Sequence, residues 1–347
     1  MLLKTLSELN GTSGAEGPVR DFLRQQIEPF VDTIVVDKMG NLIATKNAHL
    51  PGPKIMLTAH MDEVALMITD ITSDGYLKFQ PVGGIDARIL VSKPVQINDT
   101  LVGVIGVKAI HLQKLSERKK ALPFDKLYID IGAKSKEDAT GKVKLGDYAY
   151  FMTKCEPFGE GLYKGKAFDD RVGCALLVEL LKKDYAFPLV AAFTVQEEVG
   201  LRGAKVAAYH VAPDFAIVLE GTIAADVSDR EEDGWVTELG KGPACSLMDR
   251  TTLYSPKLIQ WVVDLAREKG IPLQFRRGTS GGNDAGSIHI SKVGIPTIVL
   301  SVPCRYIHSF ASVISEHDYT ACLNLVDELL DDLPRKLRIS PLDKEEL

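Results

Sequence analysis

The chain has 347 residues, 45% of them hydrophobic, which is ample for a sizeable core and too long for one typical compact domain, so two domains are expected. Its 41 basic and 47 acidic residues leave a net charge of -6, which gives no support to a nucleic-acid partner and singles out no substrate. No apolar run is long enough to span a membrane, and MLLKTLSELNGTSGAEG lacks the apolar core of a signal peptide, so a cytoplasmic protein is expected.

In chain order, Leu2, Leu3, Leu6 and Leu9 form one helical stripe, and Val19, Phe22, Leu23 and Ile27 form another after Pro18. Residues 41–44 and 55–57 read as strands. From about Asp70 to Thr153 the texture changes to short β-like runs at 76–79, 89–91, 95–97, 101–107, 127–131 and 148–152. Gly, Pro, Asn and Asp turns separate them, as in a small β barrel or sandwich. The basic run Arg118-Lys119-Lys120 reads as a solvated loop.

From Asp169 onward, helices are predicted at 172–182, 204–209, 256–269 and 318–333, alternating with strands at 189–195, 215–219 and 297–302. That order predicts an α/β fold with a mixed, largely parallel sheet flanked by helices. The simplest arrangement is a discontinuous α/β domain of residues 1–68 and 155–347 interrupted by a small β domain at 69–154. Cys155, Cys174, Cys245, Cys304 and Cys322 never take CxxC spacing and read as reduced, buried thiols.

Adjacent Glu197 and Glu198 follow the apolar run 189–195, and such a pair is costly unless a cation, a proton or water compensates it. In open α/β sheets ligands bind beyond the carboxyl ends of strands. Polar residues gather there: the run 55–59 leads into His60-Met61-Asp62, the run 215–219 delivers Glu220, and the run 297–302 leads through 303–307 to His308. Asp169-Asp170 opens the predicted helix near residue 172. Two imidazoles and several carboxylates on one rim suit one or two divalent ions of the zinc, cobalt or manganese type. Asp169, short and placed between the elements on either side, is the choice for a bridging carboxylate. Asp62 faces the same side as His60 and is placed to accept a hydrogen bond from its other ring nitrogen. Each residue alone reads better as a buried histidine, a helix cap or a turn; it is their joint occurrence at strand ends that argues for a site.

The segments LTAHMDEV (57–64), KAFDDRVG (166–173), TVQEEVGLRGA (194–204), FAIVLEGT (215–222), TSGGNDAG (279–286) and CRYIHS (304–309) occur in that order. In them the chain resembles the TET-type aminopeptidases, the glutamyl aminopeptidase or endoglucanase-M-like family with a zinc-exopeptidase-like fold, over essentially its whole length. The resemblance implies that His60, Asp169 and Glu220 bind one ion and that Asp169, Glu198 and His308 bind a second. It further implies Glu197 as general base and Asp62 as the support of His60. Short peptides would lose their N-terminal amino acids to a water that bridges the two ions. Glu220 stands where some relatives have Asp, and Asn283 where Thr is expected. The inserted segment is similar to the family's PDZ-like dimerisation domain, which implies a homo-oligomer in which dimers build a tetrahedral dodecamer.

Three rivals remain. A metal-dependent amidohydrolase, such as a deacetylase or carboxypeptidase, would use the same ions. An endoglucanase-type glycosidase would usually place two carboxylates across the scissile bond, whereas Glu197 and Glu198 are neighbours. An inactive assembly protein is disfavoured because no expected ligand is missing. Arg88, Arg277 or a neighbouring subunit are candidates to shape the substrate side-chain pocket.

Overall fold

A computed structural model of the chain describes residues 2–98, 100–115, 122–228 and 234–338. The basic run 118–120 lies outside the described residues. The first strands are β1 (Thr33–Val36), β2 (Leu42–Lys46) and β3 (Ile55–His60). Next come β4 (Ala65–Ile71), β5 (Leu77–Val82), β6 (Pro94–Ile97), β7 (Leu101–Gly106), β8 (Tyr128–Asp130) and β9 (Tyr148–Phe151). The remainder are β10 (Glu156–Pro157), β11 (Leu162–Gly165), β12 (Leu189–Thr194), β13 (Phe215–Ala224), β14 (Ala244–Ser246), β15 (Gln274–Arg276), β16 (Thr297–Arg305) and β17 (Ser312–Ser315). The helices are α1 (Leu2–Glu8), α2 (Gly17–Ile27), α3 (Lys136–Thr140), α4 (Phe168–Leu181), α5 (Arg202–Val211), α6 (Pro256–Lys269), α7 (Ala285–Ile288) and α8 (Glu316–Arg338).

Strands β12, β3, β13 and β16 lie side by side and parallel at the centre of an eleven-stranded sheet. All six residues of β3 and of β12 are buried, the mark of strands covered on both faces. Helix α4 is buried almost all round, and its residues 171–178 carry no exposed position. The sheet is mixed, as expected, with the run of parallel strands at its centre. Strands β1 and β2 on one flank, and β17, β11 and β10 on the other, pair antiparallel. The reason is connection length, because β1–β2 and β10–β11 are joined by turns too short for the crossover that a parallel pair requires. Of these flanking strands β1, β10 and β11 are short and largely exposed or half-buried, so they carry little hydrophobic pattern.

The inserted segment is a closed six-stranded barrel in the order β4-β5-β8-β7-β6-β9. Its apolar interior, with Leu66, Leu77, Val95, Ile97, Ile105 and Ile129 fully buried, is separate from the core around the large sheet. The strand expected at 89–91 does not form: Ala87–Ile89 is a 3-10 turn, where the Asp86 carboxylate accepts from the Arg88 N–H, and residues 90–92 continue as a turn. The apolar run there serves to bury Leu90 in the barrel, and three apolar residues carry no period that separates strand from turn. Only residues 61–64 separate β3 from β4, so the HMDEV segment is the joint between sheet and barrel. Among the described residues, no helix is long and apolar enough to cross a membrane.

Candidate active site

All seven residues singled out from the sequence come together at the carboxyl ends of the central strands. Asp169 lies between the two imidazoles, with its Oδ1 3.2 Å from Nε2 of His60 and its Oδ2 3.2 Å from Nε2 of His308. Glu220 Oε2 is 3.7 Å from His60 Nε2, and Glu198 Oε1 is 3.4 Å from His308 Nε2. Glu197 Oε2 stands 4.0 Å from His60 Nε2. Side-chain donor atoms of His60, Asp169 and Glu198 fall within 4.8 Å of one another, as do those of His60, Asp170 and Glu220. Both Asp170 oxygens already accept backbone N–H groups, from His60 and from Gly173, which leaves Asp169 as the carboxylate facing both histidines.

The local backbone explains this convergence. Asp169 sits at the start of α4 with extended geometry, φ -82° and ψ 109°, so its side chain is released toward the strand ends rather than along the helix. Asp62 performs a task the sequence did not announce. One of its oxygens accepts the Glu197 N–H at 3.1 Å, the other accepts the Glu198 N–H at 3.2 Å, and Ser13 Oγ donates to the latter at 2.6 Å. For His60 Nδ1 the nearer acceptor is the Asp62 backbone carbonyl at 3.0 Å, with the carboxylate at 3.5 Å. Asp62 therefore anchors the Glu197-Glu198 turn as firmly as it supports the imidazole. Gln196, at φ 56°, turns this segment through left-handed backbone, a conformation that persists where the surroundings hold it.

Burial makes the cluster electrostatically demanding. It raises Glu197 and Glu220 well above the usual carboxylate range and lifts Glu198 to about 7, with the neighbouring Asp169 charge adding to the push. Burial works against protonated His308, yet the Glu198 charge and the Asp169 hydrogen bond hold its pKa up at about 9. His60 is raised in the same way, against its own desolvation, by hydrogen bonds to Asp169 and Asp62. Oε1 of Glu198 and Oε1 of Glu220 are buried and receive no hydrogen bond. Buried acceptors without donors are rare, and together with the His and carboxylate set they fit one or two divalent cations.

Beside this cluster is a cavity of about 200 Å³, lined by Glu197, Thr222, Ser246, Asp249, Arg276 and Asn283 among others. Glu197 faces this space, whereas Glu198 faces His308 and the barrel side. Arg276 enters the cavity lining in place of the Arg88 and Arg277 named from the sequence. Its guanidinium donates to Thr222 Oγ1 and to the Gly278 carbonyl. Arg88 instead pairs with Asp86 on the surface. Asn283 donates to Asp249 and accepts the Ala285 N–H, so it braces the loop that lines the cavity.

Two supports lie inside segments that carry the resemblance, TSGGNDAG and KAFDDRVG, but were assigned no role from the sequence. Asp284 is fully buried, accepts from Thr194 Oγ1, leaves its Oδ1 without a donor, and is raised by burial to about 6. Arg171, completely buried, donates to the carbonyls of Leu6, Leu9, Gly11 and Met61 and lies beside Glu63, which is bound by Lys166 at 2.6 Å. This group ties the N-terminal segment to the HMDEV joint. The five cysteines are buried and form no disulfide, and Cys304 Sγ lies 3.7 Å from the Arg305 carbonyl.

A family model described as M42 glutamyl aminopeptidase matches residues 40–325. The chain belongs to this family. The M42 chain is 32% identical to a lysyl aminopeptidase of Pyrococcus furiosus over 343 residues, 96% of each protein. Among solved structures, a TET aminopeptidase from a marine sediment archaeon of the Thaumarchaeota matches the M42 chain with a TM-score of 0.93 at 36% identity, covering 96% of both. The Pyrococcus horikoshii TET1 peptidase, which can assemble into a tetrahedron or a large octahedral shell, matches with a TM-score of 0.84 at 36% identity over 95% of this chain and 98% of that one. With the family, the mixed sheet and its flanking helices are accounted for, and the chain is a hydrolase of the aminopeptidase class.

Proposed function

We propose that the protein is a two-ion metallo-aminopeptidase that removes N-terminal residues from short peptides. The observation carrying this reading is the pair of buried oxygens on Glu198 and Glu220 that accept no hydrogen bond, beside an Asp169 that faces both His60 and His308. His60, Asp169 and Glu220 would hold one divalent ion, and Asp169, Glu198 and His308 the other. Zinc and cobalt suit the donors, with manganese a further candidate. Bound there, such ions would supply Lewis acidity toward the scissile carbonyl and the attacking water.

The chain's own groups do the rest. Glu197, kept out of the ligand set and facing the cavity, is held by burial above the ordinary carboxylate range and is placed to take a proton and return it to the departing amine. Asp62 fixes the turn so that Glu197 and Glu198 point to different sides. The cavity beside Glu197 would receive the terminal side chain. Residues 1–68 and 155–347 would form the catalytic unit around the inserted barrel of 69–154. The protein would work as a homo-oligomer, with barrel-mediated dimers assembling to a tetrahedral dodecamer as the specific form. EDTA treatment should abolish hydrolysis of amino-acyl nitroanilides, with zinc, cobalt or manganese restoring it; activity that survives complete ion removal would overturn the reading. Sedimentation showing only monomer would overturn the assembly.

A further inference from the structure

The barrel has a separate core, yet it touches one side of the candidate site and not the other. Its turn after β5 reaches the site at two consecutive glycines. The Gly84 carbonyl lies 3.0 Å from His308 Nδ1, placed to accept that N–H and leave Nε2 aimed at Asp169. Gly83, at φ +84°, lies so close to Glu198 that a β-carbon there would fall 3.2 Å from Glu198 Cβ and 2.8 Å from Val64 Cγ1. The loop bearing His308 is in turn seated on the barrel by Phe310. That ring packs into the barrel's apolar cluster 5.6 Å from the Phe151 ring, Lys93 Nζ stands 5.0 Å from its centroid, and Thr153 Oγ1 donates to its carbonyl at 2.7 Å. Within this loop Tyr306 and His308 both have left-handed backbone, φ 58° and 56°, which needs an external body to hold it. Among the described residues, no hydrogen bond or ion pair joins His60 or Glu220 to the barrel; they are carried by β3 and β13.

We propose that the inserted barrel is a positioning element of the site, acting through Gly83, Gly84 and Phe310 on Glu198 and His308. It therefore governs one of the two ion positions, and the sheet governs the other. The inference rests on the two-ion reading above. Gly83, Gly84 and Phe310 are positioning residues, since each acts through a ligand side chain rather than on substrate.

The test is calorimetric titration of EDTA-treated protein with zinc, paired with visible absorption of the cobalt form, for wild type, Phe310→Ala, Phe310→Tyr and Gly83→Ala. Wild type should take up two equivalents. Phe310→Ala and Gly83→Ala should keep one at unchanged affinity and weaken the other by about tenfold or more, the usual scale for disturbing a ligand's support. Phe310→Tyr, which keeps the ring, should restore the second. Melting of the ion-free variants checks folding, and if Phe310→Ala does not fold, Gly83→Ala carries the test. Two equivalents bound by both variants as tightly as by wild type, or equal weakening of both, would overturn the inference while leaving the two-ion reading intact. A wild type that binds fewer than two ions would overturn both.

Discussion

The two halves of the candidate site are held by different means. His60 and Glu220 come from neighbouring parallel strands, β3 and β13, whose register sets their separation before any loop is placed. Glu198 and His308 come from loops beyond β12 and β16, and they depend on distant partners: the Asp62 carboxylate for one, the barrel's Gly84 carbonyl for the other. A ligand at a strand end inherits the rigidity of the sheet, whereas a ligand on a loop needs a second body. In this chain that body is an inserted barrel joined to the sheet through residues that themselves belong to the site.

The largest expected effect concerns a group that serves both halves. Glu197→Gln should lower turnover by about 10²–10⁴-fold, the usual contribution of a positioned base, while ion binding persists. Normal hydrolysis of amino-acyl nitroanilides by this variant would remove Glu197 from the mechanism. Next in size is the joint between the halves. Arg171→Met leaves four buried carbonyls and the Glu63–Lys166 pair poorly matched, so a loss of about 3–5 kcal/mol is expected in urea denaturation. A midpoint equal to that of wild type would show that the joint is held elsewhere.

Glu220→Ala is the counterpart, on the sheet side, of the barrel variants. It should weaken one zinc equivalent by at least about tenfold and spare the other. Loss of both equivalents would mean that the halves are not separable. The smallest effect is a pH dependence confined to ion-free protein. Glu198 at about 7 and His308 at about 9 are both raised above their ordinary 4.5 and 6.5. Each therefore contributes stability that is complete below its unfolded value and lost as pH rises through its folded one, across about 4.5 to 7 and 6.5 to 9 respectively. EDTA-treated protein should melt lower at pH 9 than at pH 5, by less than the full shifts imply because the two groups interact with each other and His308 is partly solvent-screened. Zinc should flatten that slope, and a flat profile without zinc would refute the electrostatic account.

Much of the site was legible because apolar runs end abruptly in polar residues. Residues 55–59, 189–195 and 215–219 lead to His60, Glu197-Glu198 and Glu220, and a buried strand must deliver whatever follows it to the same edge of the sheet. The alternation of strands and helices after residue 169, and the change to short strands before it, likewise pointed to an α/β fold with a β insertion. Tertiary structure decided the rest. That the flanking strands run antiparallel follows from turn lengths at weakly patterned segments. That Asp62 grips the Glu197 and Glu198 amides depends on groups 135 and 136 residues apart, and that Gly84 accepts from His308 depends on a separation of 224. Local sequence carries hydrophobic period and turn chemistry, so it reports where a side chain leaves its own strand. The partner that meets it there is chosen only when the chain closes on itself.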